Sequence, residues 1–143
     1  AAVELRSRDR LLPFCDVHWA LGLAAAERSA ALAALLDGMA EAAGSARPDA
    51  DAWRRAALPV AEGLVAFRRG EARAAFERLW AARDRSRCLG GSHAQRDLFE
   101  QVLLAAAVGA GEATVARRLA GERLRLRPHE RPWPALAGAP ARG

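Results

Sequence analysis

Gly90-Gly91-Ser92-His93-Ala94-Gln95-Arg96-Asp97-Leu98-Phe99-Glu100-Gln101 is the stretch on which the fold of this chain turns. Gly90 and Gly91 end one helix, because glycine enters the left-handed backbone region at little steric cost. Ser92 and Gln95 have the S-x-x-Q spacing of a capping box that opens the next helix. Asp97, in the first turn, complements the positive end of that helix. Helices upstream therefore stack toward this corner, and one more helix and a tail follow it.

Working outward, the helix opened at Ser92 runs to about Ala110 and presents Leu98, Phe99, Val102, Leu103 and Ala106 at helical spacing. A last helix, Glu112 to Arg127, presents Val115, Ala116, Leu119, Ala120 and Leu124. Pro128, Pro132, Pro134 and Pro140 then forbid further helix, so residues 129–143 form a Pro-rich basic tail. Upstream, Glu71 to Cys88 packs Ala75, Phe76, Leu79 and Trp80, and Gly70 separates it from a helix over Asp51 to Arg69. Pro59 lies inside that helix and removes a backbone donor, which predicts a kink or two shorter helices. Gly44-Ser45-Ala46-Arg47-Pro48-Asp49 is the clearest break. Before it, Ser29 to Ala43 carries a Leu32, Leu35, Leu36, Met39 stripe, and a first helix follows Phe14 with Asp16 as its expected N-cap. Residues 1–13 are a lead-in, and residues 14–128 form the helical domain. No stretch alternates at period two, so no sheet is expected.

Short connections make neighbouring helices antiparallel hairpins. The chain also repeats itself. At an offset of 41 residues, Ala66-Phe67-Arg68-Arg69-Gly70-Glu71-Ala72-Arg73-Ala74-Ala75 overlays Ala107-Val108-Gly109-Ala110-Gly111-Glu112-Ala113-Thr114-Val115-Ala116. In each copy Gly-Glu-Ala joins two helices, and an alanine follows five residues after the glycine. A fixed offset of this size is the mark of stacked helical-hairpin repeats. Gly70 and Gly111 permit the tight turn, and Ala75 and Ala116 let the paired helices approach.

Those corners, together with Leu124-x-Leu126-x-Pro128, look like tetratricopeptide repeats. Pro59-Val60-Ala61-Glu62-Gly63-Leu64-Val65-Ala66-Phe67-x-Arg69-Gly70, followed by Gly90-Gly91-Ser92-His93-Ala94-Gln95-Arg96-Asp97-Leu98-Phe99, resembles the C-terminal repeats of the tetratricopeptide repeat protein 38 family. The likeness spans about Phe14 to Pro128 and matches the final third of longer family members. It implies an all-α, right-handed α-α superhelix of about three antiparallel hairpins and a protein-binding role, with no established reaction. Two departures stand out. Ala72 and Ala113 occupy a position that is often Tyr in such repeats, and the first hairpin has no glycine at its corner.

Among 143 residues, 52% are of the hydrophobic class, largely alanine, and all 22 basic residues are arginine. Ile, Lys, Asn and Tyr are absent, which points to a GC-rich bacterial coding bias rather than to selection for guanidinium chemistry. Up to Glu112, 15 arginines cancel 15 acidic residues, so the whole net charge of +5 lies C-terminal to it. Arginines late in a helix also offset its dipole and keep a terminal face soluble. No apolar run approaches the ~20 residues that span a bilayer. Two cysteines make no disulfide framework, so a cytoplasmic protein with no membrane segment is expected, one that is a homodimer or the remainder of a longer chain.

Cys15-x-x-His18 and Cys88-x4-His93 have no standard zinc spacing, and no metal or cofactor is expected. A Cys88–His93 pair oriented by Asp97 is the enzymatic alternative, and an architectural block that caps or dimerises a longer array is another. The aromatic residues fall at core spacing rather than among basic patches, which argues against nucleic acid. Trp133, between two prolines, is a docked tail residue or a ligand for another chain. The expected function is non-catalytic capture of a protein or peptide, with Arg54, Arg55, His93, Arg96 and Glu100 as clamps in a concave groove.

Overall fold

The computed structural model describes residues 12–128. The lead-in before Leu12, the tail beyond Pro128 with Trp133, and the side chains of His93 and Ala94 lie outside the described residues. The described chain is all-helical, with no strand, and its elements are α1 (Pro13–Ala25), α2 (Ser29–Gly44), a composite α3, α4 (Ala72–Ala82), α5 (His93–Gly109) and α6 (Ala113–Leu126). Helix α3 opens as Ala50–Ala52, passes through a π turn at Trp53–Ala57 and continues as Leu58–Arg68. A 3₁₀ segment, Arg83–Leu89, extends α4.

Helix α1 starts at Pro13 rather than at an Asp16 cap. Proline's fixed φ suits the first helical position, where its missing N–H would have no partner anyway. It also holds Leu12 extended, at φ −137°. Asp16 consequently sits one turn inside and is fully buried. At Pro59, where a kink or two shorter helices is expected, the structure has an opening turn, a π turn and a second helical segment. Proline gives no N–H to the carbonyl four residues back and crowds it. Just ahead of it the helix widens, and Leu58 N–H donates to the Trp53 carbonyl five residues back. Residues 57 and 58 keep right-handed helical angles, so α3 runs on.

The three hairpins close with one corner. Positive φ occurs at Glu27 (55°), Gly70 (79°) and Gly111 (77°), and the next N–H reaches back over it in each case. Arg28 N–H donates to Leu23 O (3.0 Å), Glu71 to Ala66 O (3.0 Å) and Glu112 to Ala107 O (2.9 Å). The left-handed residue itself donates to Ala24, Phe67 and Val108 respectively. This paired pattern is the Schellman motif. The hairpin that lacks a glycine therefore turns by the same geometry, with Glu27 carrying the strain. Arg28, Glu71 and Glu112 share φ near −80° and ψ near 65°, so the second helix leaves each corner alike.

Helix α1 packs on α2 and α3, α3 on α4, α4 on α5, and α5 on α3 and α6. Close approach relies on missing side chains: a Cβ on Gly63 would sit 2.7 Å from Leu79 Cγ, and one on Gly109 2.9 Å from Ala72 Cβ. Trp53, Leu35, Met39, Leu64, Leu103, Leu104, Val17 and Val60 supply the bulk of the core. Gly91, at φ 76°, lies under the Phe14 ring, whose Cζ would be 2.7 Å from an added Cβ, so the N-terminal helix is seated on the Gly90-Gly91 corner.

Two stability tests follow from the corners. Glu27→Gly relieves a left-handed non-glycine residue and raises unfolding free energy by about 0.5–1 kcal/mol, whereas Gly70→Ala lowers it by about 1 kcal/mol. Gly91→Ala adds the collision with Phe14 to the same strain and costs about 2–3 kcal/mol. Urea midpoints in that rank order are expected; a destabilised Glu27→Gly protein would contradict a corner shared by all three hairpins.

Candidate functional site

The capping box is formed as its spacing requires. Gln95 N–H donates to Ser92 Oγ (3.3 Å), and Ser92 N–H donates to Gln95 Oε1 (2.9 Å). With α5 starting at His93, Asp97 falls in its second turn rather than the first, together with Glu100 and just after Arg96. Arg96 Nη1 folds back to donate to the carbonyls of Gly90 (3.1 Å) and Gly91, tying the corner to its own helix.

Asp97 faces the C-terminal end of α6. Arg123 Nη1 donates to its Oδ1 (2.6 Å), and Arg127 Nη1 and Gln101 Nε2 donate to Oδ2 (2.7 Å each). The Asp97 and Arg123 side chains are each 13% exposed, so this pair is far less screened than an ordinary surface bridge. Burial alone would raise the Asp97 pKa, but the hydrogen bonds from Arg123, Gln101 and Arg127 and the Arg123 charge outweigh it and hold the carboxyl below its usual value.

One helical turn on, Arg83 stands between two acids. Its Nε donates to Glu100 (3.2 Å to Oε2) and its Nη2 to Glu122 Oε2 (2.6 Å), while Arg118 Nε donates to Glu122 Oε1 (2.9 Å). Hydrogen bonds from Arg83 and Arg118 lower the Glu122 pKa. Burial works against the Arg83 charge, but Glu122 and Glu100 more than offset it and raise its pKa. The guanidinium also lies 5.8 Å from the centre of the Trp80 ring.

Between these two ion-pair clusters lies a cleft of about 410 Å³. The 3₁₀ segment forms one wall with Ser86 and Arg87, and α5 and α6 form the other with their charged turns. Leu119 lies at its base, and Leu126, 84% exposed, is at its rim. A second hollow of about 420 Å³ lies beside the first corner, near Glu27, Arg28, Arg68 and Arg69.

The expected clamp residues separate. Arg96 and Glu100 line the cleft; Arg54 and Arg55 do not. Arg54 donates through Nε (3.2 Å) and Nη2 (3.0 Å) to the Ala43 carbonyl near the end of α2, and Arg55 pairs with Asp51 at 2.8 Å. His93 is the first residue of α5, and its side chain lies outside the described residues. Nearby, Trp53 Nε1 donates to Asp49 Oδ2 (3.0 Å), which Arg47 also holds, and together they lower the Asp49 pKa to about 2.

The enzymatic alternative turns on the His93 side chain, which lies outside the described residues; among those described, the Asp97 oxygens accept from Arg123, Arg127 and Gln101. Cys88 is exposed at the end of the 3₁₀ segment. His18 donates from Nδ1 to the Phe14 carbonyl (2.9 Å) and packs between Phe14 and Phe99. Among the described residues no three His, Cys, Asp or Glu side chains converge as metal ligands, and no helix is long and apolar enough to cross a membrane.

The cleft's α6 wall was not singled out from the sequence. The signal was present: Leu119, Glu122, Arg123 and Leu126 fall at i, i+3, i+4 and i+7, on one face of α6. That face carries charges of both signs opposite Asp97 and Glu100. No family model matches the chain, and no solved structure gives a significant match. Fold and site thus define a class: an all-helical protein with a repeated helix-to-helix corner and an arginine-rich cleft near the C-terminal end of the described residues.

Because Asp97 and Glu122 titrate lower when folded than when unfolded, their ionisation favours the folded state. That stabilisation is complete above the ordinary values of 3.8 and 4.5 and is lost as pH falls through the lower folded values. The urea midpoint is expected to drop between pH 7 and pH 3. Asp97→Asn lowers the pH 7 stability by about 2 kcal/mol and makes the acid drop smaller. An unchanged acid dependence in that variant would show that Asp97 is not one of the groups responsible.

Proposed function

We propose that this chain is a non-catalytic binding scaffold. Its hairpins form a right-handed α-α superhelix of the tetratricopeptide kind, related to the C-terminal repeats of the tetratricopeptide repeat protein 38 family. Its partner is a protein or peptide segment. The shared corner at Glu27, Gly70 and Gly111 supports the repeat relationship. The observation that carries the binding reading is the cleft, which has charged walls, an apolar base and a bare leucine at its mouth. Concave sites of this size with a few placed polar groups are where ligands are held.

Arg96 and Glu100 remain in the proposed site, joined by Ser86, Arg87 and Leu126. Arg54 and Arg55 leave it, because their bonds organise the connection between α2 and α3. The exposed Arg117 and Arg118 on α6 suit a solvated end to the hairpin stack, as a terminal repeat requires. Two free cysteines suit a reducing, cytoplasmic setting.

Photo-crosslinking tests the site even while the partner is unidentified. With p-benzoylphenylalanine in place of Arg87, irradiation in cell lysate should yield a discrete crosslinked polypeptide that is absent when the same group replaces Arg117. Identical products at both positions, or none at Arg87, would refute the cleft as the binding site.

A further inference from the structure

We infer that the occupant of the cleft is an acidic peptide segment bearing an apolar side chain; this rests on the binding reading above. Arg83, Arg87, Arg96, Arg123 and Arg127 line the cleft against Asp97, Glu100 and Glu122, an excess of positive charge. All three carboxylates already accept from arginines of this chain, so they offer little to a cationic ligand. Arg87 is exposed in the opposite wall, and the Arg127 side chain remains 42% exposed although it reaches Asp97. A guanidinium fork presented in this way matches a carboxylate in bidentate geometry.

Leu126 supplies the second half of the specificity. It is 84% exposed beside these arginines, the largest exposure of any large apolar residue among those described. Covering it removes apolar surface from water, which favours a ligand that brings an apolar side chain. A lone small anion would satisfy the arginines and leave Leu126 bare, whereas a peptide covers both.

A nucleic acid fits less well. Single-strand binding relies on aromatic platforms for the bases, and among the described residues no Trp or Phe is classed as exposed. Three carboxylates also interrupt the cationic track that a continuous phosphate backbone needs.

The test is a display selection of random dodecapeptides on the immobilised full chain, followed by binding of the enriched peptides to wild type, Arg87→Glu, Leu126→Ser and Arg117→Glu. Enriched peptides are expected to combine Asp or Glu with Leu or Phe. Arg87→Glu should weaken them roughly tenfold and Leu126→Ser several-fold, with Arg117→Glu binding as wild type. Neutral or basic peptides whose binding is lost in Leu126→Ser would overturn the acidic partner while keeping the cleft as a binding site. No enrichment, or binding indifferent to both cleft variants, would overturn the cleft reading as well. Displacement of the selected peptides by oligothymidylate at lower concentration than by the peptides themselves would overturn the inference in favour of nucleic acid.

Discussion

One backbone hydrogen bond recurs at every hairpin: the N–H just past a left-handed residue returns to a carbonyl five residues earlier. It sets how the second helix leaves the first, and packing distances depend on that angle. Because the turn is tight, small residues meet where the helices cross, and Ala75 and Ala116 are fully buried five residues beyond their glycines. The corners also touch their neighbours. Arg73, near the start of α4, donates to Glu112 Oε1 (2.5 Å) and to the Ala110 carbonyl (2.6 Å) of the next corner. One local backbone rule thus propagates along the stack.

The last helix is held differently. Only Ala116 and Leu119 of α6 are fully buried, so apolar burial alone anchors it weakly. Its place on α5 is set instead by Arg123 and Arg127 on Asp97, and by Glu122 on Arg83. Charge-assisted bonds specify direction and register more sharply than apolar contact does. The consequence is a seam of paired charges beside a hollow rather than a filled interface, and the cleft is that hollow. The proposed binding site therefore shares its residues with the interactions that hold α6 in place.

Much of this fold was legible because its signals are local. Glycine punctuation, the S-x-x-Q cap and apolar periodicity are all read within a few residues, and they placed the helices. What escaped depends on surroundings. Glu27 adopts a left-handed turn that its side chain does not favour, because the helices on either side impose it. Ahead of Pro59 the helix widens into a π turn, a form that apolar spacing does not announce. The 3₁₀ segment, Arg83–Leu89, carries no residue pattern that distinguishes it from α-helix. The site was harder still. Arg54 found a backbone carbonyl, an acceptor that every residue type offers, and Arg123 found Asp97 26 residues away. Such pairings are set by helix packing, not by spacing in the chain.

The central claim is that the cleft between the 3₁₀ segment, α5 and α6 is where this protein meets an acidic partner. The most direct measurement follows the arginine Nε–H signals of ¹⁵N-arginine-labelled protein during titration with a peptide of alternating Asp and Leu. Progressive shifts confined to Arg83, Arg87, Arg96, Arg123 and Arg127 are expected, with Arg54, Arg55 and Arg117 unmoved. Shifts centred on Arg117 and Arg118, or no shifts at saturating peptide, would contradict that claim.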